Sequence, residues 1–366
     1  MSGIAKVGII GAGNISPQYL NGCKLYENVE VVALADINLE AAKARADEFG
    51  VPTAQSVDEL LANPEVEIVL NITTPQFHAP VNKRILEAGK HAYCEKPFAT
   101  TREEGLEVLE IAREKGLYVG CAPDTFMAGT CQLAAELIAT GVIGEPVAAV
   151  ANLLVKGHEH WHPNPEFYYK VGGGPLFDMG PYYLTALASA LGPVASVMAS
   201  AKMTYPQRTI LSEPLNGTVL DVECFTHYNG ILEFANGVTA NTTFSFDTRG
   251  KHDLPMLIIQ GTEGALKLPD PNRFEGVVEL SKDMSDWEPQ TLNRKYRGCR
   301  SIGLADMAAA IREGRPMRAN GELAYQVFDV MMSYEESTKA GKRVEVASRF
   351  ERPALIPATE GELPVF

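Results

Sequence analysis

The chain has 366 residues, 46% of them apolar and 21% charged, with 32 Lys and Arg against 46 Asp and Glu. The resulting net charge of −14 argues against nucleic acid or an anionic membrane as partner, because both need clustered cations. The length suggests about two domains with room for a proper core, and the spread of Gly and Pro excludes a disordered or repeat architecture.

In chain order, residues 6–10 form a β-branched run and residues 14–25 a helix pattern, so the N-terminus enters a strand almost at once. It has no basic segment with a cleavage site, and no secretory leader is expected. Strand 29–35, helix 39–49, short helix 57–61 and strand 68–72 follow, then helix 80–88, strand 91–94, helix 102–115 and strand 117–121. Short apolar runs alternating with helical patterns are the mark of a parallel α/β sheet.

From about Pro123 the pattern changes. One helix at 130–140 leads into longer runs with period-two alternation at 146–155, 194–203, 222–234, 238–246 and 256–260. Asn229-Gly230 and Asn236-Gly237 are strong hairpin-turn signals, so a mostly antiparallel sheet is expected. Helices are expected at 181–191, 303–313 and 322–340, and an extended Pro-rich tail from Glu351 to Phe366. Residues 179–201 carry no charge, but Gly192-Pro193 interrupts them and Ala, Ser and Thr dilute them; they read as a helix followed by a strand, not a membrane span. Six scattered cysteines with no C-x-x-C pair point to a reduced, cytoplasmic setting.

Three motifs carry chemistry. Gly11-Ala12-Gly13-Asn14-Ile15-Ser16 follows the first strand and opens the first helix. Gly11 permits a tight turn, and Gly13 lets the backbone approach a pyrophosphate on the helix N-terminus. Asp36, at the end of the second strand, suits the two ribose hydroxyls of an adenosine. An acid there repels a 2′-phosphate and no Arg follows it, so NAD is expected over NADP. The second motif, Cys94-Glu95-Lys96-Pro97, ends a strand of the same sheet, where ligands collect. A Lys beside a nicotinamide is readily retuned as acid, base or electrostatic clamp; a lone Glu-Lys is more often a solvated pair. The third is Gly172-Gly173-Gly174-Pro175-Leu176-Phe177-Asp178-Met179-Gly180-Pro181-Tyr182. Asp178 and Tyr182 are four apart, on one helix face. A tyrosine needs a nearby cation to act as a base at neutral pH; in isolation the pair reads more readily as a helix N-cap and an ordinary half-buried aromatic.

Together and in this order these motifs resemble the glucose-fructose oxidoreductase / inositol dehydrogenase / MocA (Gfo/Idh/MocA) family. The similarity covers almost the whole chain, including Thr74-Pro75-x-x-His78 and Ala88-Gly89-Lys90-His91. The resemblance implies an N-terminal Rossmann domain over 1–122, a C-terminal α/β domain with a large open sheet over 123–366, nicotinamide at the domain junction, and a catalytic set of Lys96, Asp178 and Tyr182. Tyr182 stands where inositol dehydrogenases keep a histidine, and Thr185 where many members have Asp. The implied cofactor contacts are Gly11, Gly13, Asn14, Ile15, Asp36, Thr73, Thr74, Pro75, His78, Glu95 and Lys96. The implied substrate contacts are Lys96, Asp124, Trp161, His162, Asp178 and Tyr182.

His158, His160 and His162 alternate, so on a strand they would face one way; polar lining of a sugar pocket with Trp161 as an apolar platform is expected, and no metal. The expected reaction is reversible oxidation of a secondary alcohol on a sugar, glycoside or cyclic polyol, by a homodimer or homotetramer. Two rivals stay open: an NAD-dependent glycosidase with transient oxidation, and a non-catalytic NAD- and sugar-sensing protein.

Overall fold

The computed structural model describes residues 3–291, 298–359, 364 and 366. The chain divides into two compact units, one of Met1–Gln132, Leu292–Tyr325 and Pro353–Phe366, the other of Leu133–Thr291 and Gln326–Arg352. The sequence puts the domain change after residue 122; the later segments Leu292–Tyr325 and Pro353–Phe366 nonetheless cluster with the first unit.

In the first unit the apolar runs become strands β1 (Ala5–Ile10), β2 (Val29–Ala35), β3 (Thr53–Gln55), β4 (Ile68–Asn71), β5 (His91–Cys94) and β6 (Val119–Cys121). They pair in parallel in the order β3-β2-β1-β4-β5-β6. Every residue of β4 is buried, as in a strand covered on both faces. Helices α1 (Ser16–Cys23), α2 (Leu39–Phe49), α3 (Val57–Ala62), α4 (Pro75–Glu87) and α5 (Arg102–Lys115) connect the strands. Their limits follow local chemistry: Asn38 and Thr101 cap α2 and α5, Ser56 and Glu59 form a capping box on α3, and left-handed Gly50 and Gly116 end α2 and α5. Helix α4 starts earlier than expected, with Pro75 in its first turn and Pro80 inside it. Strand order reverses between β1 and β4, and ligands collect at such switch points.

Helix α6 (Gly129–Ala139) precedes β7 (Pro146–Leu154). The second unit holds a nine-stranded sheet built from β7, β8 (Val194–Lys202), β11 (His227–Phe234), β12 (Thr239–Ser245), β13 (Leu257–Gly261), β14 (Ala265–Leu268), β15 (Glu279–Ser281), β16 (Glu288–Pro289) and β17 (Val344–Glu345); β9 (Gln207–Thr209) and β10 (Val219–Asp221) form a separate ribbon. Among the described residues of the nine-stranded sheet, only the β7–β12 pair is parallel. Helix α7 (Gly174–Leu191) packs on β7, β11 and β12, with the Tyr183 and Phe244 rings edge to face at 5.8 Å. Helix α8 (Ile302–Glu313) lies in the first unit against β2 and β6, and α9 (Gly321–Ala340) follows it.

Three expectations are corrected. The run 222–234 is not one strand: β10 ends at Asp221 and β11 starts at His227. Asn236-Gly237 does make the β11–β12 turn, Phe234 N–H donating to Val238 O at 2.8 Å, but Asn229-Gly230 lies within β11. Gly230 is required there for packing, since a Cβ would sit 2.3 Å from the Tyr334 ring. Residues 158–162 form a turn, so the three histidines do not share a strand face. The uncharged stretch 179–201 is, as expected, the end of α7 and then β8. Among the described residues no helix is long and apolar enough to cross a membrane.

Candidate active site

In the first unit the chain leaves β1 through Gly11, whose N–H donates to Ala35 O at 2.8 Å. Its φ of 117° and a Cβ that would lie 2.8 Å from Ile72 O both demand glycine. Ser16 closes the loop, its hydroxyl donating to Gly13 O at 2.7 Å. Helix α1 begins there with Ile15 as N-cap, which offers its first-turn N–H groups no side-chain acceptor. A Cβ on Gly13 would meet nothing within 4 Å, and Asn14 beside it is exposed. Asp36 is pinned by the backbone: Oδ2 accepts from Ala12 N at 2.7 Å and Oδ1 from Asn38 N at 2.8 Å. An approachable glycine backbone, an uncapped helix start and a fixed acid suit a dinucleotide.

At the ends of β4 and β5, Thr73 hydroxyl donates to Asn71 Oδ1 at 2.7 Å, and Thr74 and Pro75 start α4. His78 is buried, with Nδ1 at 2.7 Å from Pro97 O and Nε2 at 2.9 Å from Thr73 O. Burial pushes its pKa below the usual value, the two carbonyls pulling against it. The ring thus lies between the β4 loop and the turn after Lys96, and in its neutral form its one N–H donates to one of the two carbonyls. The Lys96–Pro97 peptide is cis. Glu95 is buried and holds three donors: Tyr19 hydroxyl at 2.7 Å, Arg300 Nη1 at 3.0 Å and the Lys96 N–H at 3.0 Å. Burial alone would raise its carboxyl; Arg300 first, then Lys96 and Tyr19, outweigh that and hold it below the usual range. Arg300 was not singled out from sequence, because nothing local links it to a motif 205 residues earlier.

Asp124, expected to touch substrate, is instead fully buried in the first unit, where Oδ2 accepts from Gly303 N at 3.1 Å and, among the described residues, Oδ1 has no hydrogen-bond partner. Burial pushes its carboxyl up to about 6, against the opposing pull of Arg300 and Gly303 N–H. The folded chain therefore holds this proton more tightly than the unfolded one. Stability from this group is full below about pH 4 and falls as pH rises through 6. Asp124→Asn is expected to be more stable than the parent at pH 7.5 by about 1–3 kcal/mol, with little difference at pH 4. Urea unfolding at the two pH values checks this, and equal loss at both would contradict it.

In the second unit α7 opens at Gly174, with φ 87° and a Cβ that would lie 2.5 Å from Phe225 O. The helix starts seven residues before the position expected from sequence, so Asp178 and Tyr182 are helical and one turn apart. Tyr182 is buried and Asp178 half-buried. Asp178 Oδ2 lies 2.8 Å from His158 Nε2, and Trp161 Nε1 donates to His158 Nδ1 at 3.2 Å. The rings of Tyr168 and Phe246 flank the imidazole at 4.4 and 4.5 Å. His162 sits edge-on to Trp161 and accepts from Asn164 N; it does not join His158 on Asp178. Under this turn, Arg208 pairs with Glu159 at 2.7 Å and with Asp247, and Tyr169 hydroxyl links Glu159 to the His158 N–H.

Residues 5–122 match a model described as an oxidoreductase family with NAD-binding Rossmann fold, and residues 131–267 match the GFO/IDH/MocA C-terminal domain. This chain belongs to the Gfo/Idh/MocA oxidoreductase family. A Gfo/Idh/MocA relative from Ensifer adhaerens, 1,5-anhydro-D-fructose reductase, is 35% identical over 71% of this chain and 74% of its own length. The D-glucoside 3-dehydrogenase of Escherichia coli K12 is 27% identical over 93% of this chain and 97% of its own length. A levoglucosan dehydrogenase solved with NADH and L-sorbose shares the fold, with a TM-score of 0.81 at 20% identity over 94% of this chain and 99% of that one. The Gfo/Idh/MocA assignment accounts for both sheets: the parallel one is the NAD(P)-binding Rossmann domain, and the mixed, mostly antiparallel one the C-terminal domain.

Proposed function

We propose that the chain is an NAD-dependent dehydrogenase acting on a secondary hydroxyl of a sugar, glycoside or cyclic polyol, with residues 1–122 binding the dinucleotide and residues 123–366 the substrate. The observation that carries this reading is the turn from Gly11 to Ser16, with an approachable Gly13 beside the backbone-pinned Asp36. The relatives named for anhydrofructose and glucosides support the substrate class. A homodimer or homotetramer in the cytoplasm belongs to the same reading.

Gly11, Gly13, Asn14, Ile15 and Asp36 would hold the adenosine and pyrophosphate, with Thr73, Thr74, Pro75, Glu95 and Lys96 nearer the nicotinamide. When bound, the nicotinamide supplies the acceptor for the carbinol hydrogen as hydride. Tyr182 takes the hydroxyl proton, Lys96 stabilises the developing alkoxide, and Asp178 orients the hydroxyl. Trp161 and His162 line the sugar, whereas His78 acts by positioning the Lys96 turn.

Methyl glucosides, levoglucosan and myo-inositol, screened with NAD⁺ and NADP⁺ by nicotinamide absorbance, test the reading. Reduction on at least one supports it. Release of free sugar with no net NADH would point to the glycosidase-type reaction, and tight NAD⁺ binding with no turnover on any compound to a sensor. Asp36→Asn keeps an acceptor for the loop but removes the charge facing a 2′-phosphate. It is expected to shift the kcat/KM ratio from NAD⁺ towards NADP⁺ by about 10–100-fold; an unchanged ratio would remove Asp36 from the selectivity argument.

A further inference from the structure

His158 was expected only as one of three alternating imidazoles, yet its ring is the one that meets Asp178. An indole N–H can only donate, so the Trp161 Nε1 contact at 3.2 Å makes His158 Nδ1 an acceptor. The ring proton then sits on Nε2, which donates to Asp178 Oδ2 at 2.8 Å. Protonating Nδ1 as well would set two N–H groups against each other. The bond is largely shielded from water, the two side chains being 13% and 14% exposed.

The ring is also fixed from behind. Its backbone N–H donates to Tyr169 hydroxyl at 3.0 Å, that hydroxyl donates to Glu159, and Glu159 is held by Arg208. Tyr168 and Phe246 close on the ring faces and edges at 4.4 and 4.5 Å. An imidazole held at its backbone, its ring and its Nδ1 has one direction left in which to offer its proton.

We infer that His158 is a positioning residue for Asp178: a neutral imidazole, keyed by Trp161 into the Nε2–H form, that fixes the carboxylate orientation. This rests on the role proposed above for Asp178. It assigns His158 no proton transfer, since the Nδ1 lone pair is already engaged.

Two variants and one spectroscopic measurement test it. His158→Leu fills similar space with no donor, and His158→Gln places an amide N–H near the position of Nε2. In the full-length enzyme, with the best compound of the panel above, His158→Leu is expected to lower kcat by about 10–100-fold with NAD⁺ affinity and melting temperature unchanged. His158→Gln is expected to recover to within about 5-fold of the parent. Equal activity in both variants and the parent, or equal loss in both with lowered melting temperature, overturns the positioning role. Independently of turnover, ¹⁵N spectra of the histidine rings are expected to show His158, assigned by its loss in His158→Gln, as the Nε2–H tautomer. An Nδ1–H signal overturns the inference whatever the kinetics. A parent enzyme inactive on the whole panel instead counts against the proposed function, and leaves the tautomer measurement to decide the pairing.

Discussion

Lys96→Ala and Tyr182→Phe are each expected to lower kcat, at saturating NAD⁺, by about 10²–10⁴-fold on any alcohol that the parent oxidises. On the proposed roles, removing the phenol would leave water to take the hydroxyl proton, and a positioned acid–base group is worth that range. On the same proposal, removing the ammonium would leave the developing alkoxide without its cation. Tyr182→Phe is expected to bind NAD⁺ as the parent does. Lys96→Ala is expected to lose some cofactor affinity too, because Lys96 follows the carboxyl end of β5 beside Glu95. Steady-state kinetics with NAD⁺ titrated by fluorescence separate the two effects. Near-full turnover in either variant would sink the catalytic assignment.

The second large effect is on stability. Arg208 is 4% exposed and lies between Glu159 and Asp247, with its guanidinium 4.9 Å from the Tyr169 ring centroid and Nη2 donating to Phe246 O at 3.1 Å. Arg208→Leu leaves two buried carboxylates without their cation, which costs about 3–5 kcal/mol. Glu159 holds Tyr169, and Tyr169 holds the His158 backbone, so the turn 156–169 is expected to loosen as well. Urea unfolding and hydrogen exchange of that turn measure both. Unchanged stability would mean that the charges rearrange or take up protons at no net cost.

Much of the cofactor half was legible because its determinants are local. A β-branched run, two glycines and an acid at the end of the next strand are short-range requirements, and Gly11 adopts the positive φ that its position implies. The Asn236-Gly237 turn was readable for the same reason. Asn229-Gly230 misled because the same dipeptide serves a different need: Gly230 gives room to the Tyr334 ring, 104 residues away in the chain, and no local signal carries that. Asp124 was a substrate contact only by family resemblance; the packing of α8 against it shows that it is covered.

The sequence by itself determined the family resemblance, the alternation of strands and helices in the first half, the glycine turn with Asp36, and the placing of Asp178 and Tyr182 on one helix face. Each depends on sterics or periodicity over a few residues. Only the tertiary structure decided that Arg300 holds Glu95, that His78 is set between the Thr73 and Pro97 carbonyls, and that His158 rather than His160 or His162 meets Asp178. Those choices depend on which distant segments pack together. Burying an acid or imidazole is tolerable only where packing also delivers its partner, and that partner can lie anywhere in the chain.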